Sequence, residues 1–204
     1  MRQQKGQSLV EMAIVTPVLI FLLIGVFEVG WALRGYLVLT NANREAARFA
    51  VRQNYLNLYS DNIGYEKVWT HTLESISGQI DFNEATGAMI ISYISVNAPC
   101  TLPFTITTPL NVPTYTWKYP PTATVQTQMN YALLGADLGR FQQAHSCDLV
   151  SRGMIPYSND VVIVEMWYNQ PQLLGFPLIS NPFTDPVPMY GNSTFRKIPE
   201  ARSQ

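Results

Sequence analysis

The stretch Met12-Ala-Ile-Val-Thr-Pro-Val-Leu-Ile-Phe-Leu-Leu-Ile-Gly-Val-Phe27 decides how this chain is organised. It contains no charged residue, and extending it to Leu33 adds only Glu28. The 22 residues from Met12 to Leu33 would rise about 33 Å as an α-helix, which is roughly the hydrocarbon thickness of a bilayer. We therefore predict a single transmembrane helix.

Two other interpretations of this stretch are a cleaved secretory signal and the buried core helix of a soluble domain. The uncharged run is longer than the signal-peptide core of about 7–15 residues, and no Ala-x-Ala-like cleavage site follows it. Pro17 is tolerated better in a membrane helix than in a soluble one. Arg2 and Lys5 precede the run, so the positive-inside rule predicts a cytoplasmic N-terminus and an exported remainder.

The apolar pattern continues beyond the membrane span. Small and apolar side chains recur at three- and four-residue steps, at Leu39, Ala42, Ala46, Phe49 and Ala50. This spacing is typical of one face of a helix. We predict a transmembrane and stalk segment over residues 7–56, helical to about Arg52, whose apolar stripe packs against another part of the molecule.

A second stripe on this helix consists of Arg44, Arg48 and Arg52, spaced four residues apart. One interpretation is a solvated face. The alternative is contact with lipid phosphates or with a partner subunit.

The residues before the membrane span form a short basic leader that ends in Gly6, and Glu11 follows five positions later. Cleavage after Gly6 would make Gln7 the new amino terminus, one helical turn from Glu11. The carboxylate then has three candidate partners: this amino terminus, the positive end of the helix dipole, or the amino terminus of a neighbouring subunit. An acidic residue entering lipid is costly without a partner. The remaining alternative is a glutamate in the wet cytoplasmic interface.

Three segments resemble the TadE-like family of tight-adherence pseudopilins: residues 6–11 (Gly-Gln-Ser-Leu-Val-Glu), residues 27–30 (Phe-Glu-Val-Gly) and residues 39–50 (Leu-Thr-Asn-Ala-Asn-Arg-Glu-Ala-Ala-Arg-Phe-Ala). The resemblance implies a pilin-like, single-pass subunit of a tight-adherence type pilus or secretion system. Such a subunit is expected in the inner membrane, with its N-terminus cytoplasmic and its C-terminal domain outside, and as a component of a pilus.

The same resemblance implies roles for three residues. A prepilin peptidase is expected to cut between Gly6 and Gln7, which makes residues 1–6 a leader peptide. Glu11 is assigned to assembly. The implied partners are the lipid bilayer, other pilin-like subunits and assembly proteins of the pilus or secretion system.

The remainder of the chain, residues 57–204, is predicted to form an exported α+β domain with a second helix and an antiparallel sheet. The second helix covers residues 64–77, with Asp61 as its cap and Gly78 as its stop. Strands are predicted over residues 89–96, 160–168 and 192–196.

A Pro/Thr-rich excursion covers residues 97–124. Residues 99–124 contain six prolines and eight threonines, and a proline cannot donate to the ladder of a central strand. We expect an ordered surface excursion or an edge strand, with a linker or ligand surface as the alternative. Cys100 and Cys147 bracket part of this region in an oxidising space, so we predict that they form a disulfide. The alternative is two separate buried thiols.

Composition and motifs argue against several classes of function. The net charge of −1 argues against nucleic-acid binding of the basic kind. No Walker loop, GxGxxG or HExxH motif is present, and His71 with Glu74 lacks a third metal ligand. We therefore predict no enzyme activity and no cofactor. The alternative function is an uncleaved, membrane-anchored recognition domain with residues 97–155 as its binding surface, and a third is a membrane-tethered hydrolase.

Overall fold

The computed structural model describes residues 4–52, 62–94, 114–130, 147–148, 151–152, 161–173 and 185–196; the side chains of residues 4–7, 62–63 and 114–115 are outside this description. The main elements are α1 (Gln4–Arg52), α2 (Asn62–Ile76), β1 (Gly87–Ile94), β2 (Thr114–Tyr119), β3 (Val161–Gln170) and β4 (Val187–Arg196). The predicted α+β class, with a long N-terminal helix, a second helix and an antiparallel sheet, is confirmed.

The four strands form one antiparallel sheet in the order β2-β1-β3-β4. In its centre Ile91 lies opposite both Trp117 and Val164, and Val164 lies opposite Ser193. The central strand β3 is buried at eight of its ten positions, as expected for a strand covered on both faces. Both helices pack on the same face of this sheet, which gives two layers.

Small residues let α1 approach the sheet closely. Ala46, Ala47 and Ala50 are fully buried, and Leu39 and Ala42 are buried beside them. The helix contacts β3, β4 and α2 along this stripe, so the predicted apolar stripe is confirmed together with its packing partners. An alanine on a helix has no side chain beyond Cβ, and the backbones can therefore come together without steric conflict.

The second helix packs through aromatic side chains. The Trp69 ring lies 4.3 Å from the Tyr119 ring and 5.6 Å from the Phe82 ring, measured between centroids. Tyr65 stacks on Trp117 at 6.2 Å. Each such pair contributes about 0.5–1.5 kcal/mol beyond the burial of its area. The predicted helix is thus confirmed to within two residues at its start and one at its end, while its predicted cap, Asp61, lies outside the described residues.

Gly78 ends this helix as predicted. Its φ is +74°, in the left-handed region that glycine adopts without the Cβ conflict of other residues.

The strands depart from the sequence predictions mainly at β4, which begins at Val187 rather than at Asn192. Pro188 is among the residues that the prediction left out of the strand. Because β4 is an edge strand, a proline lacking an N–H is compatible with its ladder. In the Pro/Thr-rich excursion, residues 114–119 form β2, the other edge strand, which confirms the edge-strand alternative for that part. The excursion's residues 97–113 lie outside the described residues.

Candidate functional site: the long helix and its junction with the sheet

The first part of α1, residues 8–27, carries its large apolar side chains outward; we call it the bare segment. Thirteen of these side chains are 44–72% exposed. They are Leu9, Val10, Met12, Ile14, Val15, Val18, Leu19, Ile20, Phe21, Leu22, Leu23, Val26 and Phe27. In the most apolar 18-residue window of the helix no residue is buried. The buried-core-helix interpretation is therefore wrong, and the helix has the length and composition of a membrane anchor.

The predicted processing and assembly residues lie at the start of this helix. Gly6 and Gln7 are both within the helical backbone of α1. Glu11 follows one turn after Gln7, and its side chain is exposed. The roles of these three residues stay predictions.

Where the uncharged run ends, α1 is fastened to the end of β3 through residues that the sequence did not connect. The backbone N–H of Leu173 donates to Glu28 Oε2 at 3.0 Å, and the Trp31 indole N–H donates to the Pro171 carbonyl at 3.2 Å. Residues three apart on a helix lie on the same face, so Glu28 and Trp31 present both contacts to one strand end. We call residues 28–34 the junction.

Two further contacts lie within the junction and immediately after it. The Arg34 guanidinium carbon lies 5.0 Å from the centroid of the Trp31 ring, within the range of a cation–π interaction. Gly35 lies against the Gln170 side chain, so closely that a Cβ on residue 35 would collide with it. Glycine is therefore required for this approach unless the glutamine moves.

Beyond the junction, residues 35–52 form the packed segment of α1. Within the stretch that resembles the TadE-like family, Ala42, Ala46 and Ala47 are buried whereas Arg44 and Arg48 are exposed. Arg44 and Arg48 each lie two positions from Ala46, about 160° around the helix. The motif thus divides into a small face against the sheet and a basic face that points away from it.

The packed segment also contacts α2 through His71. The His71 ring stacks on Phe49 at 4.1 Å, and its Nε2 lies 3.9 Å from Glu45 Oε1. His71, which the sequence paired with Glu74, is thus placed between the two helices. Among the described residues, no group of three or more histidine, cysteine, aspartate or glutamate side chains is arranged to hold a metal ion.

A buried carboxylate on the other face of the sheet was missed by the sequence analysis. Glu165 in β3 is fully buried. Its Oε1 accepts hydrogen bonds from the Gln128 backbone N–H at 2.9 Å and from the Tyr190 hydroxyl at 2.8 Å, and its Oε2 accepts one from Thr127 at 2.6 Å. A single acidic residue in the apolar run Val-Val-Ile-Val-Glu-Met was the available signal, because a buried carboxylate requires hydrogen-bond donors.

Of the two cysteines in the predicted disulfide, the structure describes only Cys147. Cys147 is half-buried in a short helical turn. Cys100 lies outside the described residues, so the bond stays a prediction.

Residues 6–48 match the family model described as TadE-like protein. The predicted resemblance is confirmed for this part of the chain, which includes Glu11, the bare segment, the junction and most of the packed segment. The family is one of pilus-related subunits, structural rather than catalytic. No curated protein and no solved structure matches the chain.

Proposed function

We propose that this chain is a pilin-like, single-pass membrane subunit of a tight-adherence type pilus or secretion system. Its role is structural: the bare segment anchors the subunit and then packs with the helices of other pilin-like subunits. The observation that carries the proposal is an exposed apolar helical segment that contains Glu11 in its first turns and lies inside the TadE-like match.

The length of the exposed apolar surface supports a second use besides anchoring. Large apolar side chains stay exposed from Leu9 at 71% to Leu37 at 61%, a rise of about 42 Å along a helix. The hydrocarbon of a bilayer is about 30 Å thick, and the common tilt of about 20° reduces the extent of the helix along the membrane normal only slightly. The surplus apolar surface suits contact with neighbouring helices in an assembly.

In the proposed mechanism a prepilin peptidase first removes residues 1–6. The new amino terminus, on Gln7, is a cation about one helical turn from Glu11. The Glu11 carboxylate then pairs with the amino terminus of a neighbouring subunit, since opposite charges attract strongly in surroundings of low dielectric constant. The pair would fix the axial register of one subunit on the next.

Membrane insertion does not need this carboxylate. The apolar run and the basic leader supply the signals for insertion, with the N-terminus in the cytoplasm and the sheet outside. Glu11 is therefore separable from anchoring, which gives the proposal a sharp test.

The test compares Glu11→Gln with the wild-type chain at equal membrane abundance. Glu66 is an exposed glutamate on α2, and Glu66→Gln is the matched control because it removes the same charge. We expect Glu11→Gln to insert normally but to co-purify poorly with the assembly machinery, while Glu66→Gln co-purifies as the wild type does. The loss is up to a few kcal/mol for a desolvated pair. Equal recovery of all three proteins would contradict an assembly role for Glu11.

Mass spectrometry of the N-terminal peptide from native membranes tests the processing step. A mature chain that begins at Gln7 is expected. Intact Met1 peptides as the only form would argue instead for an uncleaved anchor that displays a recognition domain.

A further inference from the structure

We propose that Trp31, Arg34 and Leu173 form a contact surface for phospholipid headgroups, which we call the bilayer seat. Through it the sheet layer rests directly on the membrane instead of standing above it on a free stalk. This inference does not depend on the pilin-like role, because it concerns only how one subunit meets lipid.

The first step concerns where the hydrocarbon ends. Glu28 carries a carboxylate and binds the backbone N–H of Leu173 at 3.0 Å. Residues 171–173 are neither helix nor strand, and non-helical backbone exposed to lipid is excluded from the hydrocarbon region. The junction therefore marks the outer boundary of the hydrocarbon at Glu28.

The second step concerns the side chains just beyond that boundary. Helical side chains tilt towards the helix N-terminus, so Trp31 and Arg34 are directed back towards the membrane. Tryptophan concentrates at membrane–water interfaces, and arginine binds phosphate through its guanidinium group. Leu173 is 46% exposed beside them and adds an apolar contact. An indole, a guanidinium and an exposed leucine at one level match the chemistry of a headgroup layer.

The third step is length. With the outer boundary at Glu28, residues 8–27 cross the hydrocarbon and rise about 30 Å, which matches its thickness. This places the lipid span lower on the helix than the predicted span from Met12 to Leu33. Glu11 then lies about 26 Å from Glu28, just inside the cytoplasmic edge of the hydrocarbon.

The position of the hydrocarbon boundary also determines how far the basic face of the packed segment lies from the lipid phosphates. Arg44 lies about 15 Å beyond Arg34 along the helix, and charges interact weakly beyond a Debye length of about 8 Å. Lipid phosphates therefore engage Arg34, whereas Arg44, Arg48 and Arg52 face solvent or protein.

Lipid is the occupant we commit to, because the seat is continuous with the bare segment on the same helix. The probe is the chain's own tryptophan, of which there are four. The full chain is labelled with 5-fluorotryptophan and reconstituted at high dilution into bilayer nanodiscs of phosphatidylcholine and phosphatidylglycerol. Fluorine NMR spectra are recorded with a nitroxide on the lipid headgroup, or with one near the end of the acyl chain, and Trp31→Phe assigns the resonance.

We expect the headgroup nitroxide to broaden the Trp31 resonance beyond detection while the acyl-chain nitroxide leaves it visible. Trp69 and Trp117, 6% and 9% exposed in the core, are internal controls that should keep their resonances with either lipid. Three results would overturn the proposal: a Trp31 resonance untouched by both nitroxides, stronger broadening by the acyl-chain nitroxide, or broadening that fades on dilution into more lipid, which would indicate that protein covers the seat.

Discussion

The bare and packed segments of α1 belong to one continuous helix, yet their burial is opposite to what side-chain size would suggest. In the packed segment the buried residues are mostly small, such as Ala46 and Ala50, whereas in the bare segment Leu22 and Val26 are 63% and 72% exposed. Within a protein core, large apolar side chains are normally the buried ones. The difference teaches that the two segments were shaped by different surroundings: a closely approaching sheet for one, and an apolar medium outside the chain for the other.

The junction between the segments explains how a single helix serves both surroundings. The Glu28 carboxylate and the Trp31 indole N–H each form a hydrogen bond with the backbone of residues 171–173, so directed contacts fix the point where the bare segment gives way to the sheet-facing helix. Four substitutions break or sharpen the comparison, taken from the largest expected effect to the smallest.

Removing the buried carboxylate of the sheet should destabilise the sheet layer and leave the bare segment in place. Glu165→Ala removes the acceptor of three hydrogen bonds, and a hydrogen bond to a charged group contributes about 1.5–3 kcal/mol, so we expect a loss of about 3 kcal/mol after water has satisfied the exposed donors. Thermal unfolding in detergent micelles, followed by near-ultraviolet circular dichroism, measures it. Glu74→Ala, an exposed carboxylate on α2, is the control. A Glu165→Ala protein as stable as that control would show that the network contributes nothing.

A lysine in the bare segment should weaken membrane insertion and leave the sheet layer folded. Leu19 and Leu37 are 57% and 61% exposed on the same helix, but only Leu19 lies near the middle of the proposed lipid span. Leu19→Lys should cost about 2.5–3.5 kcal/mol of membrane insertion, with the sheet layer still folded. Leu37→Lys should insert normally. Alkaline carbonate extraction of membranes separates the two, and equal extraction would remove the distinction between the segments.

Enlarging an alanine should matter only where the helix meets the sheet. Ala46 is fully buried, and overpacking such a site costs about 1–3 kcal/mol, so Ala46→Leu should lower the melting temperature of the sheet layer. Ala13, exposed in the bare segment, provides the matched variant Ala13→Leu, which should leave that temperature unchanged. Similar melting temperatures for both variants would mean that α1 can move away from the sheet without penalty.

Local patterns predicted the parts of this architecture that depend on neighbours in sequence. The alanine stripe, the end of α2 at Gly78 and the uncharged run each follow from spacing or from one residue's conformational preference. Glu28 and Glu165 could not be assigned, because their donors lie 145 residues away at Leu173 and 38 residues away at Thr127. Hydrophobic periodicity identifies a buried face but does not say which distant backbone group will meet a carboxylate on it.

The smallest effect concerns alkaline pH and the edge where α2 meets β2. The Tyr119 hydroxyl donates to Glu84 Oε1, and this hydrogen bond, followed by burial and the negative charges of Glu84 and Glu66, raises the pKa of Tyr119 above its usual value of 10.0. Because the folded-state pKa is the higher one, the stabilisation is fully present below pH 10.0 and is lost as the pH rises through the folded-state pKa.

We therefore expect Tyr119→Phe to lose at most about 1 kcal/mol at neutral pH, as for one exposed hydrogen bond, and to show a shallower fall in melting temperature above pH 10.0 than the wild type. Some alkaline slope should remain, since burial also raises the pKa of Tyr168. Tyr36→Phe, on the exposed side of α1, controls for the loss of a tyrosine as such. The bare segment lacks tyrosine and should be unaffected in every variant. If the melting temperatures of the wild type and Tyr119→Phe fall in parallel above pH 10.0, the hydrogen bond to Glu84 does not make the stability of this edge of the sheet depend on pH.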